Sequence, residues 1–98
     1  MYWSRSDIPS QAGRVALVTG ANSGLGFETA LALALKGGRV VMACRDVERG
    51  IGARERIESA VPGAQLDLLQ LDLGSLSSIR EAADSCSNRF GRLDLLVN

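Results

Sequence analysis

The segment from Thr19 to Gly26, which reads TGANSGLG, constrains the fold of this chain more than any other part of the sequence. It follows an apolar run, residues 15–18, and opens a second apolar run, residues 27–35, so the pattern predicts a strand, a glycine turn and a helix. Three glycines allow positive φ and leave no Cβ in the way of a ligand. Because the start of a helix has unpaired N–H groups and the positive end of the dipole, a pyrophosphate fits there. The sequence therefore predicts a nucleotide-binding turn, although a purely structural turn is an open alternative on the glycines alone.

The rest of the chain alternates between strand and helix patterns. Turn residues, helix caps and apolar periodicity predict strands at 14–19, 39–43, 65–71 and 93–97 and helices at 24–36, 47–60 and 76–90. Such alternation implies right-handed crossovers and a parallel sheet. The predicted fold class is α/β, a Rossmann-type β-α-β-α-β-α-β half with strand order 3-2-1-4, in which the glycine turn lies at the crevice between strands one and four. Residues 1–13 are predicted to be a flexible N-terminal segment and residues 14–98 the nucleotide-binding domain.

Local signals also predict how the second and third helices begin and pack. Asp46 and Ser75 are expected to cap these helices at their N-termini. Periodicity in the third helix predicts an inward-facing stripe of apolar residues: Leu76, Ile79, Ala83, Cys86 and Phe90.

Charge and composition exclude several classes of function. The formal net charge is zero, which argues against a nucleic-acid partner, since such proteins need a basic surface. The chain has no histidine, so histidine catalysis and histidine metal ligation are excluded within it, and no metal site is predicted. Cys44 and Cys86 are expected to be buried thiols. No apolar run reaches the roughly 18 residues of a membrane span, and no secretory signal is evident, so the expected location is cytoplasmic.

The motifs together resemble those of the short-chain dehydrogenase/reductase family. The turn is similar to the Thr-Gly-x-x-x-Gly-x-Gly cofactor turn of that family, Leu71-Asp72-Leu73 resembles its aspartate-hydrophobic pair, and Leu95 to Asn98 resembles the approach to its Asn-Asn-Ala-Gly motif. The segments 26–30 and 43–46 are most similar to the branch of retinol dehydrogenases and WW-domain oxidoreductases. The resemblance covers residues 14–98 and implies a nicotinamide dinucleotide as cofactor.

The resemblance also implies which residues contact that cofactor. Asp72 would contact the adenine edge, although it could instead satisfy loop amides. Asn22 and Ser23 could donate to phosphate oxygens or only shape the turn. The full set of predicted cofactor-binding residues is Gly20, Asn22, Ser23, Gly24, Leu25, Gly26, Arg45, Asp72, Leu73 and Asn98.

Arg45 follows the second predicted strand, where a dinucleotide fold meets the adenosine ribose. An acid there accepts from the 2′-hydroxyl of NAD, whereas an arginine favours the 2′-phosphate of NADP. We therefore expect NADP, with NAD the less favoured cofactor. A solvated arginine at a strand end is the alternative for Arg45, and Arg49 could be a second phosphate partner or a surface charge. A domain that binds S-adenosylmethionine is disfavoured, because it would need an acid where Cys44 and Arg45 stand.

The family transfers hydride between a nicotinamide and a carbonyl or alcohol substrate, using a Tyr-x-x-x-Lys pair for proton transfer. The only tyrosine here is Tyr2 and the only lysine is Lys36, and neither forms that motif. The sequence thus predicts an N-terminal part of such an enzyme, inactive by itself, with no catalytic residue to name. The alternative is a non-catalytic nucleotide-binding or interaction module produced by truncation. An uncovered edge at strand four would be a template for association into a homo-oligomer.

Overall fold

A computed structural model describes residues 10–21, 24–71 and 75–97 of the protein. Its elements, in chain order, are β1 (Val15–Thr19), α1 (Gly24–Leu35), β2 (Arg39–Cys44), α2 (Val47–Ala60), β3 (Gln65–Gln70), α3 (Leu76–Phe90) and β4 (Leu95–Val97). The four strands form one parallel sheet in the order β3-β2-β1-β4. The predicted α/β fold class and strand order are thereby confirmed.

The two central strands are buried on both faces, which is why their sequences read as continuous apolar runs and not as alternating ones. Ala16 and Val18 of β1 contribute to a core shared with α1 and α2. Val15 and Leu17 point to the other face and contribute to a second core, which includes Ala82 and Cys86 of α3. The sheet is therefore the middle layer of three.

The predicted helix starts are confirmed by their caps. The Asp46 carboxylate accepts from the backbone N–H groups of Glu48 and Arg49, at 3.0 and 3.3 Å, and the Ser75 hydroxyl accepts from Ser78 at 3.3 Å. Each cap satisfies donors that the first turn of a helix leaves unpaired. Both cysteines are buried thiols outside any disulfide, as predicted, and burial raises the pKa of Cys86.

Two local predictions are wrong. Leu76 is 66% exposed, because it is the first residue of α3 and the helix meets the sheet only further along, through Ala82 and Cys86. The last strand begins at Leu95 and not at residue 93, because Leu93 packs into the core beside α3 before the ladder with β1 starts. Within the described residues, no helix combines the length and the apolar character needed to cross a bilayer.

Asp94, just before β4, joins the start of β4 to the start of β1 through two hydrogen bonds. Its backbone N–H donates to the Val15 carbonyl at 2.9 Å, and its carboxylate accepts from the Val15 N–H at 2.8 Å. Arg92 donates two hydrogen bonds to the same carboxylate, at 2.6 and 2.8 Å. The Arg92 hydrogen bonds, followed by the Val15 N–H, hold the pKa of Asp94 below its usual value. The ionised carboxylate is thus the form that the folded protein favours.

Removing this carboxylate is expected to make the protein less stable in a pH-dependent way. Because the pKa of Asp94 is lowered on folding, its contribution is present above the unfolded-state pKa of about 3.9 and is lost as the pH falls through the lower folded-state value. The difference in melting temperature between the wild type and Asp94→Ala should therefore stay constant from pH 7 down to about pH 5 and should shrink as the pH falls below about 4, toward the lowered pKa of Asp94. Asp84→Ala, on the exposed face of α3, is the control. If the difference in melting temperature between the wild type and Asp94→Ala did not change with pH, the charge of Asp94 would not be what stabilises the fold.

Candidate functional site

The glycine turn lies at the carboxyl end of β1, between the ends of β2 and β4. The Gly20 N–H donates to the Ala43 carbonyl of β2 at 2.9 Å. On the other side, the Thr19 hydroxyl donates to the Val97 carbonyl of β4 at 3.1 Å. The chain winds from β1 through β2 to β3 in one direction and then returns to β4 on the opposite side, so this is the point at which the strand order reverses. Open parallel sheets bind ligands at such a crevice.

Two glycines of the turn are required for different reasons. Gly24 has a φ of +59°, which favours glycine, and a Cβ built there would meet no atom of the described residues within 4 Å. At Gly26 a Cβ would overlap the carbonyl oxygen of Gly20 and lie 2.8 Å from its carbon. Gly26 therefore lets the start of α1 pack directly on the end of β1, whereas the space above Gly24 is open to a ligand.

The first turn of α1 is exposed at Gly24 and Leu25. Leu25 is 81% exposed, while Phe27 is buried and anchors the helix in the core. The guanidinium of Arg56, on α2, lies 4.3 Å from the centre of the Phe27 ring and covers it from outside. Helix-start N–H groups without intrahelical partners and a positive dipole end make this a place for an anion, and the absence of a Cβ at Gly24 leaves room for it.

Arg45 lies at the same edge of the sheet, directly after β2. Its side chain is exposed and forms no ion pair among the described residues. The neighbouring Asp46 is already engaged as the cap of α2, and its carboxylate also lies 3.7 Å from Nε of Arg49. The charge offered to a ligand at the end of β2 is therefore the guanidinium of Arg45. Arg49 is also exposed, one helical turn further on.

The structure brings the described members of the predicted site to one edge of the sheet. Thr19 and Ala43 are register partners, so the turn that begins at Gly20 and the residue Arg45 extend beyond neighbouring strand ends. The remaining predicted residues lie outside the described part of the chain: Asn22, Ser23, Asp72, Leu73 and Asn98.

One residue at this edge was not predicted. The side-chain amide of Gln70, the last residue of β3, donates to the backbone carbonyl of Arg45 at 3.5 Å. Gln70 is the register partner of Cys44, so it faces the residue just before Arg45. Only the predicted strand order could have indicated this neighbour, since residues 45 and 70 are far apart in the sequence.

No group of three or more His, Cys, Asp or Glu side chains in the described ranges could hold a metal ion. At the sheet edge the described residues offer the backbone amides at the start of α1 and the guanidinium of Arg45, which are groups that bind anions.

Comparison with known proteins agrees with this geometry. The profile of the short chain dehydrogenase family matches residues 14–98. Human retinol dehydrogenase 13 is 41% identical over 95 residues, which are 97% of this chain and 28% of the relative. The chicken WW domain-containing oxidoreductase is 42% identical over 86 residues, which are 88% of this chain and 21% of the relative. The chain thus spans between a fifth and a third of the length of these relatives.

A solved structure shows the same fold with a nucleotide. A metagenomic short-chain oxidoreductase, crystallised in complex with NADP, superposes with a TM-score of 0.77 at 35% identity. The match covers 88% of this chain and 38% of that protein.

Proposed function

Because the chain belongs to the short-chain dehydrogenase family, we propose that it binds the adenosine and pyrophosphate half of NADP for an oxidoreductase. In the whole protein the bound nicotinamide would exchange hydride with a small carbonyl or alcohol substrate. The observation that carries the proposal is the turn at the reversal point of the sheet. There Gly24 carries no side chain, and the start of α1, where a helix has unpaired N–H groups, lies at the same edge of the sheet.

The preference for NADP over NAD rests on the end of β2. A carboxylate that accepts from the ribose 2′-hydroxyl would favour NAD, but the nearest one, Asp46, is held by the N–H groups of Glu48 and Arg49. The Arg45 guanidinium is exposed and offers a positive charge for a 2′-phosphate. The NADP complex of a related oxidoreductase supports this choice.

The other contacts are proposed from the family resemblance. Asn22 and Ser23 would contribute to the phosphate cradle. Asp72, with Leu73, would contact the adenine, and Asn98 would follow β4 at the crevice.

In this proposal the segment binds the cofactor, and none of its residues transfers a proton in the reaction. Its single lysine, Lys36, follows the last residue of α1, at the end of the helix remote from the turn. A helix of 12 residues is about 18 Å long, so the ammonium is far from a nicotinamide placed at the crevice. Tyr2, the single tyrosine, is not followed by a lysine four residues later. The proposal therefore assigns the acid–base pair of the whole protein to residues outside this segment.

Binding and turnover can be measured separately on the 98-residue chain. We expect NADPH and the fragment 2′,5′-ADP to bind, and NADH and 5′-AMP to bind more weakly, because only the first two carry the phosphate that Arg45 would contact. No oxidation of NADPH should occur with a panel of aldehydes and ketones. Isothermal titration and absorbance at 340 nm are the measurements. If neither NADPH nor 2′,5′-ADP bound, the proposal would be refuted. If the pure chain oxidised NADPH with a carbonyl substrate, the statement that this segment takes no part in catalysis would be refuted.

A further inference from the structure

The short turn that carries Arg45 is held in place from three sides. On one side, the Leu71 N–H donates to the Cys44 carbonyl at 3.0 Å. On the second, the Asp46 carboxylate caps α2 and so fixes the residue after Arg45. The third contact is the side-chain amide of Gln70, which donates to the Arg45 carbonyl at 3.5 Å. Cys44, Arg45 and Asp46 therefore each form a hydrogen bond with a different partner.

The contact from Gln70 differs from the other two because it acts on Arg45 itself. The peptide plane that contains the Arg45 carbonyl also determines the ψ angle of Arg45 and thus the path of the chain into α2. Restraining that carbonyl limits the directions in which the Arg45 Cα–Cβ bond can point. The side chain beyond it is exposed and has several rotatable bonds, so a fixed starting direction is the main preorganisation available to it.

We propose that Gln70 is a positioning residue that holds Arg45 in the orientation in which it binds the 2′-phosphate, and that it thereby adds to the selectivity for NADPH over NADH. This inference rests on the proposed function, in which Arg45 contacts that phosphate. Gln70 need not touch the cofactor for this role, since it acts through the backbone of the β2–α2 turn.

The test is Gln70→Met, which keeps the length of the side chain and removes the N–H donor. A neutral hydrogen bond of this kind contributes modestly, so the Kd for NADPH should rise about threefold while the Kd for NADH stays unchanged. Gln65→Met is the matched control, because Gln65 is an exposed glutamine at the other end of the same strand. It should change neither constant. Titrations of the purified protein with both cofactors give all the values.

A double-mutant cycle separates positioning from direct contact. In an Arg45→Leu background the Gln70 substitution should cause no further loss of NADPH affinity, because the two residues would act through one interaction. Additive losses, or an equal loss for NADH, would overturn the inference and indicate that Gln70 contacts the shared adenosine. Unchanged NADPH affinity in Gln70→Met, with a loss in Arg45→Leu, would overturn it too while leaving the proposed function intact. Failure of Arg45→Leu itself to affect NADPH would refute the NADP preference and, with it, this inference.

Discussion

Replacing Gly26 by alanine is expected to lower the affinity for NADPH by about a hundredfold and to destabilise the fold by about 1–3 kcal/mol. The added Cβ would overlap the Gly20 carbonyl oxygen, which is backbone and cannot rotate away. The start of α1 must therefore move from the end of β1. That displacement disturbs the tight strand–helix contact and shifts the amides that the pyrophosphate would meet.

A second helical glycine supplies the matched control. Gly52, in the middle of α2, would place a Cβ in open space, so Gly52→Ala should stabilise the protein by about 0.5–1 kcal/mol through helix propensity. Chemical denaturation measures the stability of both variants, and titration with NADPH measures the affinity. Were Gly26→Ala to bind NADPH as the wild type does, the turn would not be the site of the pyrophosphate.

Substitution of Arg45 should change which cofactor the protein selects. A charge-assisted hydrogen bond contributes roughly 1.5–3 kcal/mol, so Arg45→Leu should weaken NADPH binding about ten- to a hundredfold. NADH lacks the 2′-phosphate and should be nearly unaffected. Arg45→Asp should reverse the preference, because a carboxylate repels the phosphate and accepts from the 2′-hydroxyl.

Arg49→Leu is the control for a general effect of positive charge, since Arg49 is also exposed and lies one helical turn further along α2. Its ion pair with Asp46, at 3.7 Å, is exposed to solvent and should contribute little. We expect only a small change in either dissociation constant. Equal losses for NADPH and NADH in Arg45→Leu would show that Arg45 supports the strand end, and a large NADPH loss in Arg49→Leu would place the phosphate on α2.

Local sequence signals were enough for the order of the elements and most of their bounds. The apolar run at residues 15–18 predicted a strand, and the structure has β1 there, buried between two cores. Asp46 and Ser75 predicted helix starts because capping depends on a side chain and an N–H only two or three residues apart. The alternation of strands and helices then predicted the strand order, since right-handed crossovers leave few arrangements.

Contacts between distant parts of the chain needed the tertiary structure. From the sequence, Gly24 and Gly26 are equivalent members of one glycine motif. In the structure, of these two, it is Gly26 whose Cβ would overlap backbone atoms. Leu76 fits the apolar stripe of α3 but is exposed, because it is the first residue of the helix and the buried residues of α3 are Ala82 and Cys86.

At the candidate site, the contact between Gln70 and Arg45 is another one that could not be predicted from the sequence. The glycine turn, the arginine after β2 and the aspartate that caps α2 could be recognised from the sequence, because each depends on a few neighbouring residues. The partner of the Arg45 carbonyl depends on the register of β3 against β2, which pairs Gln70 with Cys44. Register is decided by how whole strands bury their side chains against two helical layers, a balance that no short segment contains.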